Sequence, residues 1–376
     1  MASLHEADVV IMTPGMTFGP DRRYKSIHWH RIICDETHSD HYKGGKGNGW
    51  CNYWADYWWG VTGTPLTSSV RDLESVANWL GHWSDGLQLS TLQAPRTSFA
   101  LQKKDDFHLL APLLRKLMIR HTKAQRIDGE VALSLPASDC ETVWLDMSAA
   151  ERARYEGLTK RVDGRKHDGA LMAMGLEMEL GLLARRELCS GITGGGRKLT
   201  ALIDDLGALR AQEPEMHAVV FTMSRSAYAE IVRRVGQAGF EVCGFSGCSK
   251  VAERHATIRA FQESVEERKP GVSKVFVATI KVGNVGITLT AATRVYLMEP
   301  CLDPAMEVQA AGRIHRLGQT RDVLVKRFVY RRSIETALLE LHAKIENGEI
   351  AIADNLFPKA ALRILSTDGN ASVSSS

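Results

Sequence analysis

Disulfides, zinc ligands and membrane spans are what this sequence lacks. Seven cysteines are scattered over 376 residues, and no two of them stand as Cys-x-x-Cys. The nearest pair, Cys243 and Cys248, is too isolated to form half of a zinc site. An odd, scattered set without a signal peptide points to a reducing compartment and a disulfide-free chain. No apolar run approaches the length that crosses a bilayer, so neither a membrane nor zinc is expected as a partner. Asn370-Ala371-Ser372 fits a glycosylation acceptor, but a chain that stays inside the cell never meets that enzyme. An excess of charge of one sign is lacking too. The net charge of +3 and pI of about 8.4 suit a nucleic-acid partner without arguing for one.

What is present is the balance of a globular protein, with 44% hydrophobic and 24% charged residues. Its length exceeds one ordinary core, so two domains are expected. The first stretch alternates strands and helices. Val9-Val10-Ile11-Met12 and Arg31-Ile32-Ile33-Cys34 are short apolar runs of the kind that form buried parallel strands, and a third strand ends at Val61-Thr62. Asp72 to Leu80 has helical spacing. All eight tryptophans precede residue 145, four of them between Trp50 and Trp59. Such a cluster could stack on bases, but a packed core or lobe interface is the better reading.

Residues 107–200 read as largely helical, with Ser148 and Glu151 spaced as a capping box and Leu171 to Leu188 rich in helix formers. Gly194-Gly195-Gly196 is a candidate hinge. Beyond Leu199 apolar runs recur at 218–221, 242–245, 275–278, 295–298 and 324–325, with helical patterns at Ala227 to Val235 and Glu253 to Phe261. That order predicts βαβ units and a second parallel sheet. From Ser366 the Ser/Gly/Asn-rich end reads as disordered.

Three segments carry chemistry. Asp35 and Glu36 follow an apolar strand, and the carboxyl ends of strands are where open α/β sheets bind ligands. Two adjacent acids there can divide the work: Asp35 holds Mg²⁺ while Glu36 orients and deprotonates a water, with His38 linking them to the rest of the machine. Taken alone, Asp-Glu-x-His fits a solvated turn better. Thr62-Gly63-Thr64-Pro65 has a glycine that would let a strand end approach its neighbour, or is an ordinary turn. Its place soon after the acids suits a second strand end on the same sheet edge.

The third segment, Gln309-Ala310-Ala311-Gly312-Arg313-Ile314-His315-Arg316-Leu317-Gly318-Gln319, is the most specific. Two arginines three residues apart can share a helix face and grip triphosphate oxygens bidentately. A basic surface helix does not explain the accompanying Gln309, Gly312, His315, Gly318 and Gln319. Seven such positions coincide by chance on the order of once in a billion windows.

These segments resemble the Swi/Snf branch of the superfamily-two helicase-like ATPases, from about Ala7 to Ile345. Asp35-Glu36-Thr37-His38 is similar to the family's Walker B motif, usually Asp-Glu-Ala-His. Gly63 to Leu66, Leu117 to Lys123, Gly283 to Thr290, Met298-Glu299-Pro300 and Gln309 to Gln319 resemble later motifs. The resemblance implies an α/β fold of two RecA-like parallel-sheet lobes, the first incomplete, joined by a helical linker region. The expected boundaries are a partial first lobe at 1–145, the linker at 146–198, the second lobe at 199–350 and a tail at 351–376.

The resemblance also implies ATP and Mg²⁺ as cofactors, with Asp35 on the metal, Glu36 activating water, and Arg313 and Arg316 reaching the γ-phosphate across a shared cleft. Gln309 lines that cleft and Gly286 lets its backbone turn closely. Thr13, Thr64 and the loop around Lys281 are implied DNA-backbone contacts. Double-stranded DNA, nucleosomes or repair proteins are the expected partners, and the nucleus the expected location.

The largest departure from the family is the phosphate-binding loop ending in Gly-Lys-Thr or Gly-Lys-Ser, which none of the 34 residues before Asp35 supplies. Gly44 to Gly49 follows the acids and lacks the hydroxyl residue, and Gly194 to Thr200 misses the spacing. Thr67-Ser68 stands where the family has Gln-Asn, and Thr288 where it has Asn. Residues 150–198 hold no Cys/His array, which excludes the RING finger of one repair branch. The expectation is therefore an ATP-dependent DNA translocase that is weakly active or inactive as this chain alone; a non-catalytic binding module derived from such a motor is the alternative.

Overall fold

The computed structural model describes residues 6–13, 24–37, 53–63, 118–119, 121–122, 125–131, 133–164, 196–245, 251–262, 271–280, 286–301 and 304–347. The chain divides into two compact units at Arg120/His121.

In the first unit β1 (His28–Asp35) and β2 (Trp54–Val61) pair in parallel, with Cys34 opposite Gly60 and Asp35 opposite Val61. Cys34 and Tyr53 are buried, and Met12, Tyr24, Trp29, Ile32 and Trp58 pack around them. On the opposite side Arg31 stacks over Tyr57 and Trp59, beside the exposed Ile33 and Val61. Successive strand residues point to opposite faces, so Trp58 and Trp59 cannot share one core. The tryptophan cluster accordingly packs in part only: Trp58 is half-buried, whereas Trp54 and Trp59 are 61% and 51% exposed. The run at Val9 to Met12 is not a strand either. Among the described residues it pairs with no strand, and Val9 and Ile11 stay exposed while Met12 packs inward. The helices expected at 72–80 and 171–188, Gly194, Gly195 and the tail lie outside the described residues.

The second unit is a six-stranded, all-parallel sheet covered on both faces. Its strands are β5 (Ser138–Leu145), β6 (His217–Thr222), β7 (Glu241–Phe245), β8 (Lys274–Thr279), β9 (Arg294–Leu297) and β10 (Val323–Tyr330), in the spatial order β5-β10-β9-β6-β8-β7. Its helices are α1 (Ala149–Gly164), α2 (Arg197–Gln212), α3 (Arg225–Gln237), α4 (Val251–Phe261), α5 (Pro304–Ala311) and α6 (Ile334–Glu346). Alternate strand residues serve the two layers. Val219, Phe221, Phe276 and Val295 meet Phe261 and Ala310, while Ala218, Val220, Val277 and Tyr296 meet Leu202, Leu206, Ile231 and Val235. Every residue of β6 and β8 is buried, which is why these strands read as unbroken apolar runs.

The segment read as helical from 107 onward is corrected in its middle. β3 (Arg126–Ile127) and β4 (Glu130–Val131) form a hairpin across Asp128-Gly129, both with positive φ, 53° and 86°. Such a two-residue turn demands that dipeptide. β5 then joins the edge of the second sheet along the whole of β10. It therefore belongs with the second unit, although the expected boundary at 145 assigned it to the first lobe. Its exposed Asp139 and Glu141 suit an edge strand and hide it from a search for apolar runs.

One close approach is tight enough to test. A Cβ on Gly244 would lie 2.2 Å from the carbonyl oxygen of Val277 on the neighbouring strand. Gly244→Ala is expected to lower second-unit stability by about 1–3 kcal/mol, read as a drop in melting temperature against wild type.

Candidate functional site

The acids sit where the sheet geometry predicts, at the carboxyl end of β1. Asp35 Oδ1 accepts a hydrogen bond from the Glu36 amide at 3.0 Å, and Glu36 takes a left-handed φ of 52°. That conformation costs a non-glycine residue about 1–2 kcal/mol and is tolerated where the surroundings enforce it. The enforcing contact is Thr37, buried, whose amide and Oγ1 both donate to the Val61 carbonyl, at 3.2 and 3.4 Å. A threonine at this position is thus held by a bond to the next strand. The two strand ends do share one sheet edge, but the glycine that permits their approach is Gly60, whose Cβ would meet Thr37 Cγ2 at 3.0 Å. Gly63 has open space.

The arginine segment lies in the second unit. Gln309 is half-buried in α5, but the helix stops at Ala311, so Arg313 and Arg316 do not share a helix face as the spacing suggested. They lie in successive turns instead. Gly312 allows the exit, because a Cβ there would press on the Val308 and Gln309 carbonyls at 3.2 and 3.3 Å. Gln319 then winds the chain onto the neighbouring loop. Its buried Nε2 donates to the carbonyls of Thr290, Ala292 and Ile314, while its Oε1 accepts from the amides of Thr320 and Arg321. The Leu289 amide bonds the Arg313 carbonyl at 2.9 Å, and Arg316 Nη1 bonds the Ile287 carbonyl at 3.4 Å. His315 Nε2 donates to the Pro136 carbonyl at 2.8 Å. The segments containing Gly286 and Arg313 are therefore one braced structure, with both arginines half-buried.

Gly286 has φ +37°, and no atom lies near its missing Cβ. The turn needs glycine for its conformation and not for closeness. Thr13 is exposed in the first unit. His38, Thr64 and Lys281 lie outside the described residues.

Sequence reasoning missed a buried polar cluster at the carboxyl ends of β9 and β10. Lys198, fully buried, donates from Nζ to the Met298 carbonyl at 2.8 Å and pairs with Glu335. Glu335 Oε2 accepts the Tyr330 amide at 2.7 Å. Burial pushes the Glu335 carboxyl up to about 7, against the pull of Lys198. Burial also raises the Tyr330 phenol, helped by its bond to Glu151 at 2.6 Å. For Glu151 burial acts upward but is outweighed by donors from Ser148, Tyr330 and the Arg197 backbone, which hold it low. The capping box expected at Ser148 thus has a second duty. Glu299 Oε1 accepts from Thr222 Oγ1 at 2.8 Å and from the Met223 amide, joining β6 to β9. Lys198, the lysine that follows the Gly-rich stretch, is thus committed to Glu335.

The donor chemistry suits Mg²⁺ and a triphosphate. Asp35 offers hard carboxylate oxygen, and Mg²⁺ is held by one or two carboxylates with water and phosphate completing its shell. Among the described residues no three His, Cys, Asp or Glu side chains gather as a metal site. Among them, too, no helix is long and apolar enough to cross a membrane.

The SNF2-related domain pattern matches residues 2–189, and that of the helicase conserved C-terminal domain matches residues 197–318. The DNA repair protein RAD5 of Candida albicans is 34% identical over 161 residues, covering 42% of this chain and 14% of that protein. Helicase-like transcription factor of Oryctolagus cuniculus is 23% identical over an alignment of 483 residues, covering 95% of this chain and 46% of that protein. The chain spans less than half the length of either. Among solved structures, the Sulfolobus solfataricus SWI2/SNF2 ATPase core in complex with dsDNA aligns with a TM-score of 0.44 at 20% identity, over 96% of this chain and 74% of that one.

Proposed function

We propose, for a chain that belongs to the SNF2-related family of helicase-like ATPases, that it supplies the water-activating and charge-stabilising parts of an ATP-driven motor on double-stranded DNA. Asp35 holds Mg²⁺ and Glu36 orients and deprotonates the attacking water. Arg313 and Arg316 counter the charge that builds on the transferring phosphoryl, and Gln309 lines the nucleotide's surroundings. Held by Asp35, Mg²⁺ would supply positive charge to offset that of the phosphates. DNA is held mainly by its phosphates and so with little sequence preference, with Thr13, Thr64 and Lys281 among the contacts. Nucleosomes or repair proteins are the partners this reading suggests, and the nucleus its place of action.

The observation that carries the reading is the brace around Arg313 and Arg316. Gln319 and the Leu289 amide hold the arginine segment on the Gly286 loop, which a merely basic surface would not require. In a polypeptide that also contains a Gly-Lys-Thr or Gly-Lys-Ser loop, Glu36→Gln and Arg313→Ala should each lower DNA-stimulated phosphate release by about 10²–10³. Unchanged turnover in either variant would refute the assignment. The second reading is a DNA- or protein-binding module without turnover, derived from such a motor. That reading predicts duplex binding indifferent to ATP.

A further inference from the structure

A corner of the second unit gathers positive charge for which the motor reading has no use so far. Three helices begin there, each just after a strand or loop end. α1 follows β5, α6 follows β10, and α2 starts at Arg197. Their first turns are laced together: the Arg197 amide donates to Glu151 at 3.1 Å, the Ile334 amide to Tyr155 Oη at 2.7 Å, and the Arg331 amide to the Leu145 carbonyl at 2.8 Å. Each helix start adds about half a positive charge.

Around this junction stand Arg152, Arg197, Arg331 and Arg332. Arg152 Nη1 and Nη2 donate to the carbonyls of Arg332 and Arg331, at 2.7 and 3.1 Å, and hold Arg332 in a left-handed φ of 53°. With its backbone pinned, Arg332 keeps its side chain 73% exposed, and that of Arg331 is 50% exposed. The carboxylates nearby are largely spent inward. Glu151 serves Ser148, Arg197 and Tyr330, and Glu335 serves Lys198 and Tyr330. Asp146 faces the two arginines, at 3.2 Å from Arg331 and 3.7 Å from Arg332, and is itself 57% exposed. One solvated carboxylate does not neutralise two exposed guanidiniums, carried on a pinned backbone, beside three helix starts.

We propose that this corner is a contact surface for the phosphate backbone of duplex DNA, with Arg331 and Arg332 each taking a phosphate and Asp146 limiting how tightly they do so. Guanidiniums suit phosphate oxygens because they stay charged and present paired donors. The proposal rests on the reading of the chain as a DNA motor part, and adds contacts to those expected at Thr13, Thr64 and Lys281.

The test is binding of the whole chain to a labelled duplex of arbitrary sequence, followed by fluorescence anisotropy over a salt series. Each phosphate contact adds about 0.9 to the slope of log affinity against log salt. Arg331→Ala with Arg332→Ala should flatten that slope by about two and weaken binding equally for unrelated sequences. The paired lysine variant should keep the slope, because it keeps the charge. Asp146→Asn should tighten binding. Arg233→Ala, which removes an exposed charge on α3, should change little. Thermal melts confirm that each variant is folded. If the parent binds and the double alanine variant binds equally, this surface is refuted while the motor reading stands. A parent that ignores duplex DNA refutes both. Tighter capture of polyglutamate than of duplex, lost in the double variant, would reassign the surface to an acidic protein and overturn the proposal.

Discussion

Duplex DNA is expected to leave ATP hydrolysis by this 376-residue polypeptide at background. In the function proposed above, Asp35, Glu36, Arg313 and Arg316 are assigned metal binding, water activation and charge neutralisation, and none of them is assigned the cradling of the β- and γ-phosphates before reaction. In P-loop motors that task falls to backbone amides of a glycine-rich turn and to its lysine. The residues before Asp35 contain no such turn. Gly194 to Thr200, which resembles one superficially, directs its Lys198 into the protein and onto Glu335. Losing the cradle and its lysine removes several kcal/mol of binding and transition-state stabilisation, about a thousandfold or more in rate. Phosphate release with and without duplex, on this chain and on any longer gene product, measures the difference. Robust DNA-dependent turnover by this chain, abolished in Glu36→Gln, would overturn the expectation.

The largest stability effect is expected at Lys198. Both it and Glu335 are buried, and removing one member of a buried pair leaves the other charge uncompensated. Lys198→Ala should therefore destabilise the second unit by about 3–5 kcal/mol in urea titrations. Lys198→Met combined with Glu335→Gln should recover most of that, because glutamine still accepts the Tyr330 amide and no charge remains. A double variant as unstable as the single one would show that the pair is not the cause.

The same carboxyl makes stability depend on pH. Its folded value of about 7 lies above the ordinary carboxylate value of 4.5, so the folded chain binds this proton more tightly. The contribution is complete below about 4.5 and is lost as pH rises through 7. Lys198, Tyr330, Glu299 and Glu151 are the charged or titratable groups around it, and Lys198 opposes the rise. Second-unit stability should fall from pH 5 to pH 8 in wild type, and Glu335→Gln should flatten that slope.

How much of this was legible depended on whether a residue's neighbours in sequence were also its neighbours in space. The runs that became β6, β8 and β9 are buried on both faces, so their apolar character is continuous and unmistakable. Asp35 and Glu36 were legible because an apolar strand ends immediately before them. β5 was not, since an edge strand carries charge on its exposed residues and borrows its partner from 185 residues away. The Asp128-Gly129 dipeptide is itself a legible hairpin signal, but its two-residue strands are too short to stand out from the helix-forming sequence around them. Arg313 and Arg316 were found by pattern, but their placement was misread because Gln319 acts on carbonyls near residue 290. Lys198 could not be interpreted from its own surroundings, since Glu335 and Met298 lie far along the chain.

The carboxylate of Glu151 grips the polypeptide at two places far apart in sequence, at Ser148 where α1 begins and at Arg197 where α2 begins. It takes the Tyr330 hydroxyl as well, so losing this one side chain would untie two helix starts and a strand end together.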